Sequence, residues 1–154
     1  MQSGQLAPEF ELPDQSGTPR SLDALLANGP VVLFFYPAAN TRVCTAEACH
    51  FRDLSAEFAA LGASCVGIST DKVDVQAGFA ERQNLGYPLL SDADGTVAAQ
   101  FGVKRGLLGI VAPVKRHTFV IDPDRKIAKV ITGELQANVH ADEALKFLRE
   151  RALQ

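Results

Sequence analysis

The sequence predicts an α/β fold: a three-layer sandwich in which helices flank a mixed central sheet. Three observations lead there. Residues 31–36, Val-Val-Leu-Phe-Phe-Tyr, form a continuously apolar run rich in β-branched and aromatic side chains. Such a run reads as a central strand covered on both faces. Strand-like and helix-like segments alternate along most of the chain, the pattern of parallel strands joined by crossover helices. Finally, residues 118–121 and 127–132 flank the turn Asp122-Pro123-Asp124-Arg125, which predicts a hairpin and makes the sheet mixed.

Taken in order, Phe10-Glu11-Leu12 alternates as a short strand does. Asp14-Gln15-Ser16-Gly17 then reads as a turn. Ser21 is placed to cap a short helix through Leu22, Leu25 and Leu26, ended by Asn28-Gly29-Pro30. Pro37 stops the central strand. A helix is expected over residues 44–61, with Phe51, Leu54, Phe58 and Leu61 on one stripe and Gly62 at its C-terminal end. Residues 64–69 read as a strand, and Thr70-Asp71 as the cap of a helix over 73–82. A short strand at 87–90 and a short helix at 96–101 follow. The last helix carries Ala141, Ala144, Leu145, Leu148 and Ala152 on one face.

The chain has 154 residues, which suits one domain with one core, so residues 1–154 are expected to fold as a single domain. Hydrophobic residues make up 47% and charged residues 21%, with a formal net charge of -3. A mildly acidic chain without a long Lys/Arg cluster has no footprint for nucleic acid. No apolar run approaches a membrane span. Met1-Gln2-Ser3-Gly4 lacks the basic and apolar segments of a secretory signal, so a cytoplasmic location is expected. The three cysteines are Cys44, Cys49 and Cys65. An odd, low count in a cytosolic chain argues against a disulfide framework and for catalytic, metal-binding or buried thiols.

The chemistry concentrates in residues 35–49, where the central strand runs into a helix. In open α/β sheets, sites form at that edge. Cys44 falls in the first helical turn, where unpaired N–H groups and the positive dipole end stabilise a thiolate over a thiol. A thiolate can attack the O–O bond of a peroxide, and a second thiol can condense the sulfenic acid product to a disulfide. Cys49 is a candidate for that thiol. On an ideal helix, however, Cα atoms at i and i+5 stand roughly 8–9 Å apart on different faces. Bridged cysteines lie within about 7 Å. A Cys44–Cys49 disulfide therefore requires the first turns of the helix to unwind.

Pro37-x-x-x-Thr41-x-x-Cys44 resembles the active-site signature of the peroxiredoxins. Residues 44–53, Cys-Thr-Ala-Glu-Ala-Cys-His-Phe-Arg-Asp, are similar to the peroxiredoxin Q class, also called bacterioferritin comigratory protein. Residues 7–14, 67–71, 88–92 and 116–122 match the same family, so the likeness spans nearly the whole chain. It implies a thioredoxin-like fold with an N-terminal β-hairpin and a thiol-dependent peroxidase activity. It implies Cys44 as peroxidatic cysteine, Thr41 giving and accepting hydrogen bonds at the peroxide, Pro37 shielding the site, and Arg116 over thiolate and peroxide. The amides of Val43 and Cys44 would stabilise charge developing on oxygen. Cys49 matches the resolving cysteine of members that place it five residues on. The substrates implied are hydrogen peroxide and organic hydroperoxides. Thioredoxin or a similar dithiol protein is the implied reductant, and no metal or organic cofactor is implied. The class is often monomeric, so a monomer is expected, at most a weak dimer. Arg42-Val43 stand where members often carry Pro-Gly. Residues 104–113 match least well and, being apolar and Gly-rich, read as a flap near the site or a contact surface.

Simpler readings exist for each residue. Cys49 would also suit a core position, and Cys65, inside an apolar strand, is read as core. Thr41 fits a helix N-cap, a role compatible with one at the peroxide. Pro37 also works as a strand terminator, and Arg116 as the partner of a surface acid. Glu47 is read as a solvated helix residue. Cys49-His50 lacks haem-attachment spacing. Cys44, Cys49 and His50 lack a further zinc ligand nearby, and Asp92-Ala93-Asp94-Gly95 reads as a turn, not a calcium loop. The competing function is a thiol–disulfide oxidoreductase acting on proteins, disfavoured by the absence of Cys-x-x-Cys.

Overall fold

A computed structural model describes residues 1–105 and 113–153. The expected flap at 104–113 lies largely outside the described residues. Among the latter, five strands form one mixed sheet in the order β5-β4-β3-β6-β7. These are β3 (Val31–Phe35), β4 (Ser64–Ser69), β5 (Leu89–Ser91), β6 (His117–Ile121) and β7 (Ile127–Thr132). β4 pairs in parallel with β3 and β5, whereas β6 pairs antiparallel with β3 and β7. A separate hairpin, β1 (Glu11–Pro13) with β2 (Pro19–Ser21), precedes them. This is the predicted α/β sandwich with its opening hairpin.

β3 lies at the centre and every one of its residues is buried. Period-2 alternation divides its side chains between two cores. Val32, Phe34 and the following Tyr36 face the cluster built with α2 (Arg42–Asp53), α3 (Ser55–Ala60), α4 (Val73–Gln83) and α6 (Val139–Ala152). Val31, Leu33 and Phe35 face the cluster built with the N-terminal segment, α1 (Leu22–Leu25) and α5 (Thr96–Gln100). Ser21 caps α1 as expected, its hydroxyl accepting from the Ala24 amide at 3.2 Å.

Four local expectations need correction. The helix expected over 44–61 is two helices, α2 and α3, broken at Leu54. The Ser55 hydroxyl donates to the Arg52 carbonyl at 2.7 Å, a local bond that competes with the helical ladder. Gly62, at φ 76, ends α3 in the left-handed conformation that glycine adopts freely. Asp71 does not cap α4: Lys72 holds that position, because the Asp71 carboxylate is engaged elsewhere. The strand expected at 87–90 lies at Leu89–Ser91, and the Tyr87 side chain turns instead toward α2. Ala152 is exposed, because the last turn of α6 overruns the core.

The site helix α2 is fastened to the sheet by aromatics. Phe34 of β3 stacks on Phe51 of α2 with ring centroids 4.2 Å apart and planes 9° from parallel. Gly67 of β4 lies beside this stack, and a Cβ there would come within 2.9 Å of the Phe34 ring. The neighbouring strand is thus kept bare so that the aromatic pair fits. Phe51→Ala is expected to lower the unfolding free energy of the reduced protein by about 3–5 kcal/mol in urea titration. A loss below about 1 kcal/mol would show that the stack does not anchor α2.

Candidate active site

The loop from β3 to α2 brings together most of the residues singled out by sequence. Thr41 occupies the N-cap position, with φ -89 and ψ 159. The Thr45 amide closes the first helical bond onto the Thr41 carbonyl at 2.8 Å. Arg42, Val43 and Cys44 thus fill the first turn, whose N–H groups have no partner within the helix. Among the described residues, the Val43 and Cys44 amides donate to no acceptor. The Thr41 hydroxyl makes no cap bond and donates instead to the Ala38 carbonyl at 2.7 Å. An open cleft of about 370 Å³ lies over the turn, lined by Pro37, Thr41, Val43, Cys44, Arg116 and Leu135 among others.

Arg116 reaches this turn from just before β6. Its Nη2 donates to Cys44 Sγ at 3.2 Å and its Nη1 to Glu47 Oε1 at 2.8 Å. Its Nε donates to the Glu134 carbonyl at 2.8 Å. Three bonds along one planar fork fix the guanidinium over the sulfur, which a lysine could not reproduce. Both Arg116 and Cys44 are buried, at 3% and 1% exposure, so the contact acts with little screening by water. Desolvation opposes the Arg116 charge, but Glu47 and Cys44 outweigh it and hold the proton more firmly than usual.

Glu47 is not the solvated residue expected from sequence. It is fully buried and forms the ion pair with Arg116. Its i+3 spacing from Cys44 was the available signal, since such residues share a helix face. Burial pushes its carboxyl up to about 7, against the lowering effect of Arg116. Its second oxygen, Oε2, has no hydrogen-bond partner among the described residues and stands 3.8 Å from His140 Nδ1. His140 Nε2 donates to the Gly133 carbonyl at 2.8 Å, so Nδ1 accepts from the Thr118 hydroxyl at 2.7 Å. Burial further disfavours a charge on this ring. Among the described residues, Arg116 is thus the cation that compensates Glu47. Glu134, also missed by sequence reading, stabilises Arg116 at its backbone: the Arg116 amide donates to Glu134 Oε1 at 3.2 Å.

Cys49 lies on the same intact helix and is half-buried, its Sγ 3.4 Å from Gln83 Oε1. The cysteines are all free. Tyr87 donates its hydroxyl to the Ala48 carbonyl at 2.6 Å, and Arg52 Nη1 donates to the Gln83 carbonyl at 2.6 Å, so α2 is held against α4 and its flanking loop. Cys65 is buried in the core, where desolvation pushes its thiol up to about 12.

Comparison with known proteins places these features in a family. Residues 3–130 match the model of the AhpC/TSA family. The chain is 66% identical over 149 residues to a putative peroxiredoxin of Mycobacterium tuberculosis, covering 97% of both sequences. The crystal structure of the peroxidoxin BcpB from Mycobacterium tuberculosis superposes with a TM-score of 0.93 at 65% identity, over 97% of each chain. A Xanthomonas campestris bacterioferritin comigratory protein, whose structures address alkyl peroxide reduction, superposes with a TM-score of 0.83 at 30% identity, over 93% of this chain and 92% of that one. With a buried sulfur under a guanidinium at the mouth of a helix, and with these relatives, the chain belongs to the AhpC/TSA family as a peroxiredoxin of the peroxiredoxin Q and Bcp class, a thiol-dependent peroxidase.

Proposed function

We propose that Cys44 is the peroxidatic cysteine, that Cys49 resolves it, and that a thioredoxin-like dithiol protein recycles the enzyme. The observation that supports this most is the Arg116 guanidinium 3.2 Å from the Cys44 sulfur. A fixed cation beside sulfur favours the anion that attacks peroxide. The Cys44 thiolate attacks one peroxide oxygen and the O–O bond breaks. The other oxygen leaves with the electron pair and is protonated to an alcohol or to water. Arg116 and the free amides of Val43 and Cys44 stabilise the charge that develops on oxygen. Thr41 orients the peroxide through its hydroxyl, and Pro37 walls the cleft against water. The substrates are hydrogen peroxide and organic hydroperoxides. The alkyl peroxide chemistry of the Xanthomonas relative and the apolar cleft lining support the second group.

Resolution requires movement. Cys49 sulfur must reach Cys44 sulfur, form the disulfide and release the sulfenic hydroxyl as water. On the intact α2 the two side chains stand five residues apart and Cys49 rests against Gln83. The first two turns therefore unwind, breaking the Tyr87–Ala48 bond, while the Phe34–Phe51 stack retains the helix end. The reductant then takes up the disulfide by thiol exchange. The working unit is taken as one single-domain chain acting as a monomer in the cytoplasm, without nucleic acid or membrane. Among the described residues no helix is long and apolar enough to cross a membrane.

Mass spectrometry after one equivalent of peroxide is expected to find Cys44 joined to Cys49. Cys49→Ser should stop at sulfenic acid on Cys44, and Cys44→Ser should lose turnover entirely. A Cys44–Cys65 bridge, or retained turnover in Cys44→Ser, would overturn the assignment.

Glu47 adds a pH dependence to stability. Its folded pKa, about 7, lies above its ordinary 4.5. The native state then binds the extra proton between those values. The stabilisation is full below pH 4.5 and is lost as pH rises through 7. Glu47→Gln keeps an acceptor for Arg116 but cannot ionise. Denaturant titrations should therefore show it gaining stability relative to the parent protein from pH 4.5 to pH 7. A difference independent of pH would show that Glu47 does not titrate in this window.

A further inference from the structure

Asp71 lies in the loop between β4 and α4, outside the group of residues that touch the cleft. Its Oδ2 nevertheless accepts the Ala39 amide at 2.7 Å. Ala39 sits in the middle of the 37–41 loop, between Pro37 and Thr41, and is buried. We propose that Asp71 is a positioning residue for the peroxidase reaction: by holding the Ala39 amide it sets where Thr41 and the first turn of α2 meet the peroxide. The proposal rests on the functional reading given above.

The loop needs such a hold. It belongs to no helix or strand, and Asn40 adopts φ 64, a left-handed conformation that Asn tolerates but does not favour. Two side chains from the α4 side restrain it. Arg82 donates from Nη2 and Nε to Asn40 Oδ1, at 2.7 and 3.2 Å, on an exposed surface. Asp71 acts from beneath.

The Asp71 carboxylate is itself fixed from the core. The Ser69 hydroxyl donates to Asp71 Oδ2 at 2.7 Å. Ser69 Oγ in turn accepts from Gln76 Nε2 at 3.0 Å and from the Asp71 amide at 3.2 Å. Gln76 Nε2 also donates to the Leu90 carbonyl at 2.9 Å, and its Oε1 accepts from the Tyr36 hydroxyl. Ser69, Gln76 and Tyr36 are each at most 1% exposed. A continuous, satisfied polar chain thus runs from the end of β3, through α4 and β4, back to the loop that follows β3. Such buried networks impose one geometry on their members. Asp71 is the last rigid point before the loop that carries Thr41.

The test compares two reactions of Cys44 in the reduced protein. Oxidation by peroxide needs Thr41 and the first-turn amides in place. Alkylation by iodoacetamide needs only a reactive sulfur. In Asp71→Ala the rate of first oxidation should fall about 10- to 100-fold, the scale of an ångström-sized misplacement, while the alkylation rate of Cys44 changes far less. Asp71→Asn keeps a carbonyl acceptor for Ala39 and should stay within about threefold of the parent. Equal loss in both reactions, unchanged oxidation in Asp71→Ala, or an Asn variant as slow as the Ala variant would each overturn the proposal. If Asp71→Ala does not fold, hydrogen exchange of the Ala39 amide in the parent protein decides: protection supports the clamp and free exchange refutes it. If the parent protein consumes no peroxide, the functional reading fails, and the same exchange measurement still decides the clamp.

Discussion

One guanidinium lies between a sulfur and a carboxylate inside the protein, and most of the site follows from keeping it there. Arg116 cannot lose its proton, and at 3% exposure its charge has little water to lean on. Glu47 pairs with one arm of the fork at 2.8 Å, and the other arm donates to the Cys44 sulfur at 3.2 Å. The fork thus holds a cation within hydrogen-bond reach of the Cys44 sulfur while Glu47 pairs with its other arm. The helix supplies the geometry, because Cys44 and Glu47 are one turn apart on α2 and present both groups to one fork.

The sheet brings this about by topology. β3 and β6 are neighbours at the centre, paired antiparallel, so the start of β6 lies next to the end of β3. Arg116 precedes β6, and the loop to α2 follows β3. Residues 72 positions apart in sequence are thereby brought into hydrogen-bond contact. The Phe34–Phe51 stack then sets the height of α2 over the sheet. On the proposed mechanism the same helix opens for Cys49 to act, and its attachments differ along its length. Aromatic packing holds its later turns, whereas single hydrogen bonds from Tyr87 and to Gln83 hold the part between the cysteines. Its first turn carries no acidic residue, and Thr41 gives it no side-chain cap bond, so it lacks two common supports of a helix start.

Much of this was legible in the sequence because it rests on local pattern. The run at 31–36 announces a buried central strand, and the likeness of Pro37-x-x-x-Thr41-x-x-Cys44 to the peroxiredoxin signature announces the candidate site. Long-range partnership was not legible in the same way. Glu47 looks like any helical glutamate until Arg116 arrives from 69 residues away. Asp71 has the residue type of a helix cap, and the Ala39 amide and the Ser69 hydroxyl divert it. The break at Leu54 coincides with a serine hydroxyl turned back onto the Arg52 carbonyl, which apolar periodicity does not report. Apolar periodicity reports which face is covered, but not which buried polar group will meet which.

The central claim is that the Arg116 cation makes the Cys44 sulfur reactive toward peroxide. Stopped-flow measurement of the first oxidation step in Arg116→Ala tests it most directly, read in a Cys49→Ser background so that resolution does not intervene. The account predicts a second-order rate constant lower by about 10²–10³-fold, the usual effect of removing one preorganised donor from a charged transition state. A rate equal to that of the parent, in a folded variant, would contradict it.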